Sequence, residues 1–319
     1  MRIGVQSLNI IHDENPAAGF KRIAAAGFDC CDFGQNGYLL NSDLYRTALS
    51  KDSAGIRGGL FDRSEEEIAE FFRPHIEGAK AAGVVVNQMH MPYPDFVPGA
   101  PDEVNDYLKN VMAPKSLYIA SLFHCPYIVV HGFKLAHFLG SEEAEWEETK
   151  MFLEYLAPTA KALGVTMCIE NIYTGVGGRI IEGPCCDAVK AVRRIDDMNN
   201  KFGAEILGFC LDTGHANLVG IDYEPFIRTL GSRLKVLHIH DNDGIADLHQ
   251  IPYTFTRERN NRPSTDWDGF LSGLRAIHFD GVLNFETAPV LKSFPPELAD
   301  DALAFIAKIG RYFAGRIER

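Results

Sequence analysis

The sequence predicts an α/β fold, a single (β/α)8 TIM barrel occupying residues 1–319. Three observations lead there. Short β-rich apolar runs alternate with amphipathic helical patterns from end to end, the runs number eight, and the later ones finish in ionisable side chains. Strands alternating with helices favour a parallel sheet built from βα units. Eight such units need roughly 250 residues or more, and the chain has 319.

In chain order the runs are Arg2–Ser7, Phe28–Phe33, Val84–Met91, Tyr127–His131, Val165–Glu170, Leu207–Asp212, Lys235–His240 and Val282–Glu286. Helical patterns fall near 16–26, 64–82, 102–124, 142–163, 185–195, 222–230, 266–278 and 296–316, the second opening on Ser64-Glu65-Glu66-Glu67, a capping-box sequence. Glycine before several runs marks the end of the preceding helix. Segments 34–63, 132–141, 172–184 and 241–265 follow strands and exceed an ordinary βα loop. They put extra material on the face where barrels carry their chemistry. No repeat, low-complexity tract or linker marks a second domain.

Composition narrows the function. A net charge of −12 and a pI near 5.4 argue against non-specific binding to nucleic acid or membrane surfaces and leave small-molecule chemistry. No apolar run approaches the roughly 18 residues of a membrane span, and Met1-Arg2-Ile3-Gly4-Val5 reads as a strand rather than a signal peptide. A soluble cytoplasmic protein is expected. The cysteines number seven, and the adjacent pairs Cys30-Cys31 and Cys185-Cys186 fit neither a zinc ribbon nor a disulfide framework, so reduced, buried thiols are expected.

The last six strands end in His90, His131, Glu170-Asn171, Asp212-Thr213-Gly214-His215, His238-Ile239-His240-Asp241 and Glu286. Any one of these is more often a hydrogen-bonded rim residue than a ligand; six in succession at one mouth point to a site. Several carboxylates around one mouth repel one another unless a cation or protons neutralise them. Glu170, Asp212, His240 and Glu286 form a mixed oxygen and nitrogen set suited to one divalent ion, Mn2+, Mg2+, Co2+ or Zn2+, and not to a thiolate-selective one. His238 and His240 are two apart, so both face the barrel interior if the strand stays regular. His240, nearer the mouth, is taken as the ligand and His238 as packing below it. Thr213-Gly214 allows a bend that turns His215 to the site, with helix capping by this segment as the alternative.

These residues resemble the xylose-isomerase-like barrel superfamily, and within it the sugar phosphate isomerase/epimerase group. The pieces that carry the resemblance are Ile169-Glu170-Asn171, Leu211-Asp212-Thr213-Gly214-His215-Ala216-Asn217, His238-Ile239-His240-Asp241-Asn242-Asp243-Gly244, Asp247-Leu248-His249, Asp266-Trp267 and Phe285-Glu286. It implies that Glu170, Asp212, His240 and Glu286 bind one metal, that Glu170 and Glu286 act as acid and base on opposite faces of a sugar, and that His215 contacts substrate oxygens. The family's substrate-binding arginine after the seventh strand is absent: Ala246 stands there.

The activity implied is a metal-dependent sugar isomerase or epimerase that abstracts an α-proton and passes through a metal-stabilised enediolate. His90, His131, His215 and His249 are the expected substrate-binding residues. The partner expected is a small carbohydrate, neither nucleic acid nor membrane, with a homo-oligomer or partner subunit open. The same enolate chemistry serves a lyase of the inositol dehydratase or C-glycoside-cleaving kind. For that, Tyr253, Phe255, Arg257, Arg259, Arg262, Phe133, Phe138 and Trp146 are pocket candidates, with ordinary loop packing as their alternative. Resemblance to apurinic-site endonucleases implies a trinuclear zinc site from His90, His131, Glu170, Asp212, His215, His240, Asp247, His249 and Glu286, although Asp247 follows His240 by a short gap. A barrel serving only as a binding or assembly subunit is the non-catalytic alternative.

Overall fold

The computed structural model describes residues 1–39, 56–135, 141–257 and 262–319. Phe138 and Arg259, and the side chains of Arg257 and Arg262, lie outside the described residues.

The eight barrel strands are β1 (Arg2–Gln6), β2 (Cys30–Gly34), β3 (Val85–His90), β4 (Tyr127–His131), β5 (Thr166–Glu170), β6 (Leu207–Asp212), β7 (Leu234–His238) and β8 (Val282–Phe285). All pair in parallel with their sequence neighbours, and β8 returns to pair with β1. The last seam, between β7 and β8, closes just past the end of β7. There Ile239 N donates to Asn284 O at 2.8 Å and Glu286 N to Ile239 O at 3.1 Å. The predicted TIM barrel is therefore the observed fold.

Local chemistry sets the element ends. Ser64 and Glu67 form the reciprocal capping box in front of helix Glu65–Ala82. That helix stops at Gly83 and the helix Glu142–Leu163 at Gly164, each glycine taking the left-handed conformation that turns the chain into the next strand. The helix expected near 185–195 instead spans Ala188–Phe202. Cys185 has a positive φ, and the Asp187 side chain accepts from Val189 N and Lys190 N, so the helix begins after it; it runs on to Phe202 with Ile195 and Met198 buried on its inner face. A seven-residue helix, Thr213–Val219, and an antiparallel hairpin of Tyr173–Val176 with Arg179–Glu182 occupy the top face where only loops were expected.

Strand alternation stacks the barrel interior in layers. Val129, Cys168, Cys210 and Val236 form a small buried apolar cluster of their own. Two residues further along the same four strands stand His131, Glu170, Asp212 and His238. An apolar floor thus lies directly beneath a ring of ionisable groups. All seven cysteines are free and buried, as expected.

Candidate metal and substrate site

The strand tops are tied together by side chains of the sequence motifs. Asn171, after β5, donates through Nδ2 to Asp212 O at 3.0 Å and accepts from Asp212 N at 2.9 Å. Thr213 Oγ1 donates to His240 O at 2.8 Å, and Asn242 Nδ2 donates to Gly214 O at 2.8 Å. Asp212 Oδ1 accepts from His215 N at 2.6 Å and caps the short helix, leaving Oδ2 for the site. The capping alternative and the site assignment thus use different oxygens of one carboxylate.

The β6–β7 register pairs Asp212 with His238. This sets His238 level with the carboxylates, where position along the strand favours His240. His238 Nδ1 lies 2.9 Å from Glu170 Oε1, 3.4 Å from Glu286 Oε2 and 4.0 Å from Asp212 Oδ2. One ligand atom from each of Glu170, Asp212, His238 and Glu286 falls within 4.8 Å of the other three. His240 stands above this group. Its Nε2 is 3.0 Å from Asp212 Oδ2, and its ring stacks on His249 at 3.9 Å. It belongs to a second grouping with Asp247 and His249. Sequence spacing could not separate the two histidines because it does not reveal where the β7 ladder ends.

Glycine is required beside His240. A Cβ on Gly214 would lie 1.9 Å from His240 Cε1, in the helix that Asp212 caps. Gly214→Ala is therefore expected to displace His240 and destabilise the fold by about 1–3 kcal/mol, the usual cost of overpacking a full site. Thermal denaturation checks this, and an unchanged melting temperature would mean that the ring moves aside freely.

Three other imidazoles share one device. His90 Nδ1 faces Met91 O at 2.6 Å, His215 Nδ1 faces Asn171 O at 3.0 Å, and His249 Nδ1 faces Glu286 O at 3.0 Å. A carbonyl only accepts, so each Nδ1 carries the proton, and in the neutral ring Nε2 is left as a lone-pair donor towards the cleft. His90 Nε2 and His131 Nε2 approach to 3.1 Å, with Glu170 Oε2 2.9 Å from the latter. His215 and His249 aim Nε2 at Asp247 Oδ2, at 3.3 and 3.1 Å.

Charge is poorly balanced among these groups without a cation. Burial opposes ionisation of Glu170, yet His238 and His131 beside it hold its carboxyl well below the usual range. Burial likewise opposes protonation of His215 and His249, but Asp212 beside the first and Glu286 beside the second lift them to about 9 and about 10. His131, by contrast, is pushed down to about 4 by burial. The carboxylates thus draw protons onto their neighbours, and those protons neutralise negative charge that a divalent ion would neutralise instead. Asp247 Oδ1 and His240 Nδ1 are buried without a hydrogen-bond partner. With an oxygen and nitrogen donor set, these residues fit a divalent metal.

The ring floors a cleft of about 490 Å³ lined by Gln6, His90, Tyr93, His131, Lys134, Glu170, Tyr173, His215, Asp247, His249 and Glu286 among others. Four of these, Gln6, Tyr93, Lys134 and Tyr173, were not singled out from sequence. Gln6 Nε2 donates to Glu286 Oε1 at 2.6 Å. Lys134 is the one Lys or Arg among the described lining residues. Its Nζ donates to Tyr173 O at 2.6 Å, and burial pushes its pKa down to about 8. None of the four has a sequence signal beyond lying at or just after a strand. Of the aromatic pocket candidates, Phe133 packs between Phe96 and Phe152, Trp146 lies under Arg194, and Tyr253 contacts Trp267 and Phe313. None of these, nor Phe255, lines the cleft; Phe33, Tyr38, Tyr93 and Tyr173 do.

Comparison with known proteins agrees with this architecture. The model of the xylose isomerase-like TIM barrel family matches residues 20–309. The chain belongs to that family. Solved barrels of similar fold include a D-psicose 3-epimerase with D-fructose (TM-score 0.65, 15% identity, 99% of this chain and 100% of that one). A 3-keto-D-glucoside 4-epimerase, YcjR, from E. coli superposes with TM-score 0.65 at 16% identity, covering 97% and 99% of the two chains. An L-ribulose 3-epimerase does so with TM-score 0.60 at 20% identity, covering 99% and 94%. In sequence, the uncharacterized protein y4fM of Sinorhizobium fredii (strain NBRC 101917 / NGR234) is 31% identical over 88 residues, 28% of this chain and 26% of that protein. The match thus spans about a quarter of that relative. Among the described residues no helix is long and apolar enough to cross a membrane.

Proposed function

We propose that this family member is a divalent-metal-dependent isomerase or epimerase of a sugar or sugar derivative, acting by removal of a proton α to a carbonyl. The observation that carries the proposal is the pair of carboxylates, Glu170 and Glu286, which lie 2.9 and 3.4 Å from His238 Nδ1 and both line the cleft. The printed identities of the similar barrels, epimerases of psicose, a 3-keto-glucoside and ribulose, support the same class.

Glu170, Asp212, His238 and Glu286 would hold the cation, with His240 next to Asp212. A divalent ion held there, Mn2+ ahead of Mg2+, Co2+ or Zn2+, would supply Lewis-acid stabilisation of the negative charge that develops on the substrate oxygens. One glutamate takes the α-proton and the other returns a proton to the opposite face. Gln6 orients Glu286 through Oε1. The Nε2 atoms of His90, His215 and His249, with His131 and Lys134, supply hydrogen bonds to substrate oxygens around the cleft. A cytoplasmic location suits this chemistry and the buried thiols.

A second reading has one observation in its favour. His90 and His131 with Glu170, the central quartet, and His215, His240, Asp247 and His249 form three adjoining groupings. Such a constellation suits three zinc ions and hydrolysis. Metal analysis of protein purified without chelator separates the two. About one equivalent is expected, close to three zinc ions would favour the hydrolase, and metal-free protein that takes up no added ion would exclude both. A metal-replete screen over free sugars, sugar phosphates, inositols and 3-oxo-glycosides, following deuterium uptake from solvent, is expected to show α-proton exchange with one class. No exchange with any class would count against the isomerase.

A further inference from the structure

The last helix, Pro296–Ile317, buries Leu303, Ile306, Ile309 and Phe313 against the barrel, yet its outer side carries Leu298, Phe305 and Tyr312 at 47, 53 and 51% exposure. These three recur every seven residues, which keeps them on one stripe of an α-helix across about 21 Å. Isolated exposed apolar residues are ordinary, but a stripe of this length needs a cover.

The charges beside the stripe indicate what covers it. Asp300 pairs with Arg22, Arg311 with Asp29, and Arg316 with Asp268. Asp301 and Lys308, one helical turn from the apolar positions, are exposed and have no ionic partner among the described residues. The acidic one lies N-terminal to Phe305 and the basic one C-terminal, at nearly equal distances. A perpendicular two-fold axis at Phe305 reverses the order of residues along the helix. It sets Leu298 against the partner's Tyr312, Phe305 against the partner's Phe305, and Asp301 against the partner's Lys308, with both ion pairs on the same flank. A parallel arrangement would set like charges together.

We propose that this helix is an isologous interface, with its occupant a second copy of the chain packed antiparallel and centred on Phe305. None of these residues lines the cleft, and the interface is independent of the activity proposed above.

Sedimentation velocity of the full chain across a dilution series tests the pairing. A reversible dimer is expected. Phe305→Asp should weaken it by about 100-fold, as for a central apolar anchor. D301K and K308D should each weaken it by about tenfold, since a two-fold interface counts every charge reversal twice. The double variant D301K/K308D restores opposite charges and should recover most of the affinity. A monomeric wild-type chain at every concentration, a dimer insensitive to Phe305→Asp, or a double variant weaker than both single ones would each overturn the proposal. Circular dichroism of each variant confirms that the barrel is intact.

Discussion

Glu170→Gln and Glu286→Gln should each lower turnover by about 10²–10⁴-fold at saturating metal, the range for losing one positioned proton-transfer group. Each substitution keeps the shape of the side chain and removes its basicity. The two are expected to differ in which half-reaction survives. The variant that keeps the abstracting carboxylate should still exchange the α-proton of substrate or product with solvent deuterium, in one direction, while net conversion stops. Steady-state kinetics with deuterium uptake by NMR reads both quantities, and metal content measured on the same samples separates lost chemistry from a lost ligand. Near-normal conversion in both variants, with metal bound, would remove the glutamates from the reaction. The geometry makes the pair specific: Gln6 holds one Glu286 oxygen and His131 lies beside one Glu170 oxygen, which leaves the other oxygen of each near His238.

Much of this was legible in the chain itself. Strands were readable because each is a short apolar run between helix-ending glycines and turn residues, so β4 and β6 match their expected limits and the others differ by one or two residues. Glu170, Asp212 and Glu286 were readable because each closes an otherwise apolar strand, where an ionisable side chain needs a reason. Register was not readable. It depends on hydrogen bonds between strands far apart in sequence, and it decided which of two histidines sits among the carboxylates. Asp247 and His249 were placed only by family resemblance, since they lie in a loop with no periodicity. Lys134 gave no signal, because a lysine after a strand is ordinarily solvated. Its place in the cleft follows from the Tyr173 hairpin folding over it.

Asp32 is the group whose importance no local pattern announces, and its removal should weaken metal binding by about 10–100-fold, as loss of a partner behind a ligating histidine does. It sits on β2 with no solvent exposure, and its Oδ2 lies 3.2 Å from His238 Nε2. Gln88 Nε2 donates to the same oxygen at 3.3 Å and Asn284 Nδ2 at 3.4 Å. Two strands thus donate to one buried carboxylate oxygen, and the His238 ring of a third lies beside it. A ring with its Nε2 proton directed at Asp32 presents an unprotonated Nδ1 to Glu170, Asp212 and Glu286, the form a metal needs. Asp32→Asn keeps an acceptor and should fall at the mild end of the range, whereas Asp32→Val leaves Nε2 facing an apolar wall and should fall at the severe end. Equilibrium dialysis against Mn2+ measures the affinity directly, without requiring a substrate. Thermal denaturation of the metal-free proteins reports any general damage, and a loss of affinity with an unchanged melting temperature identifies orientation of His238 as the cause. Equal affinity in wild type and Asp32→Val would show that packing alone orients the ring, and would leave the carboxylate beneath it without a role at the site.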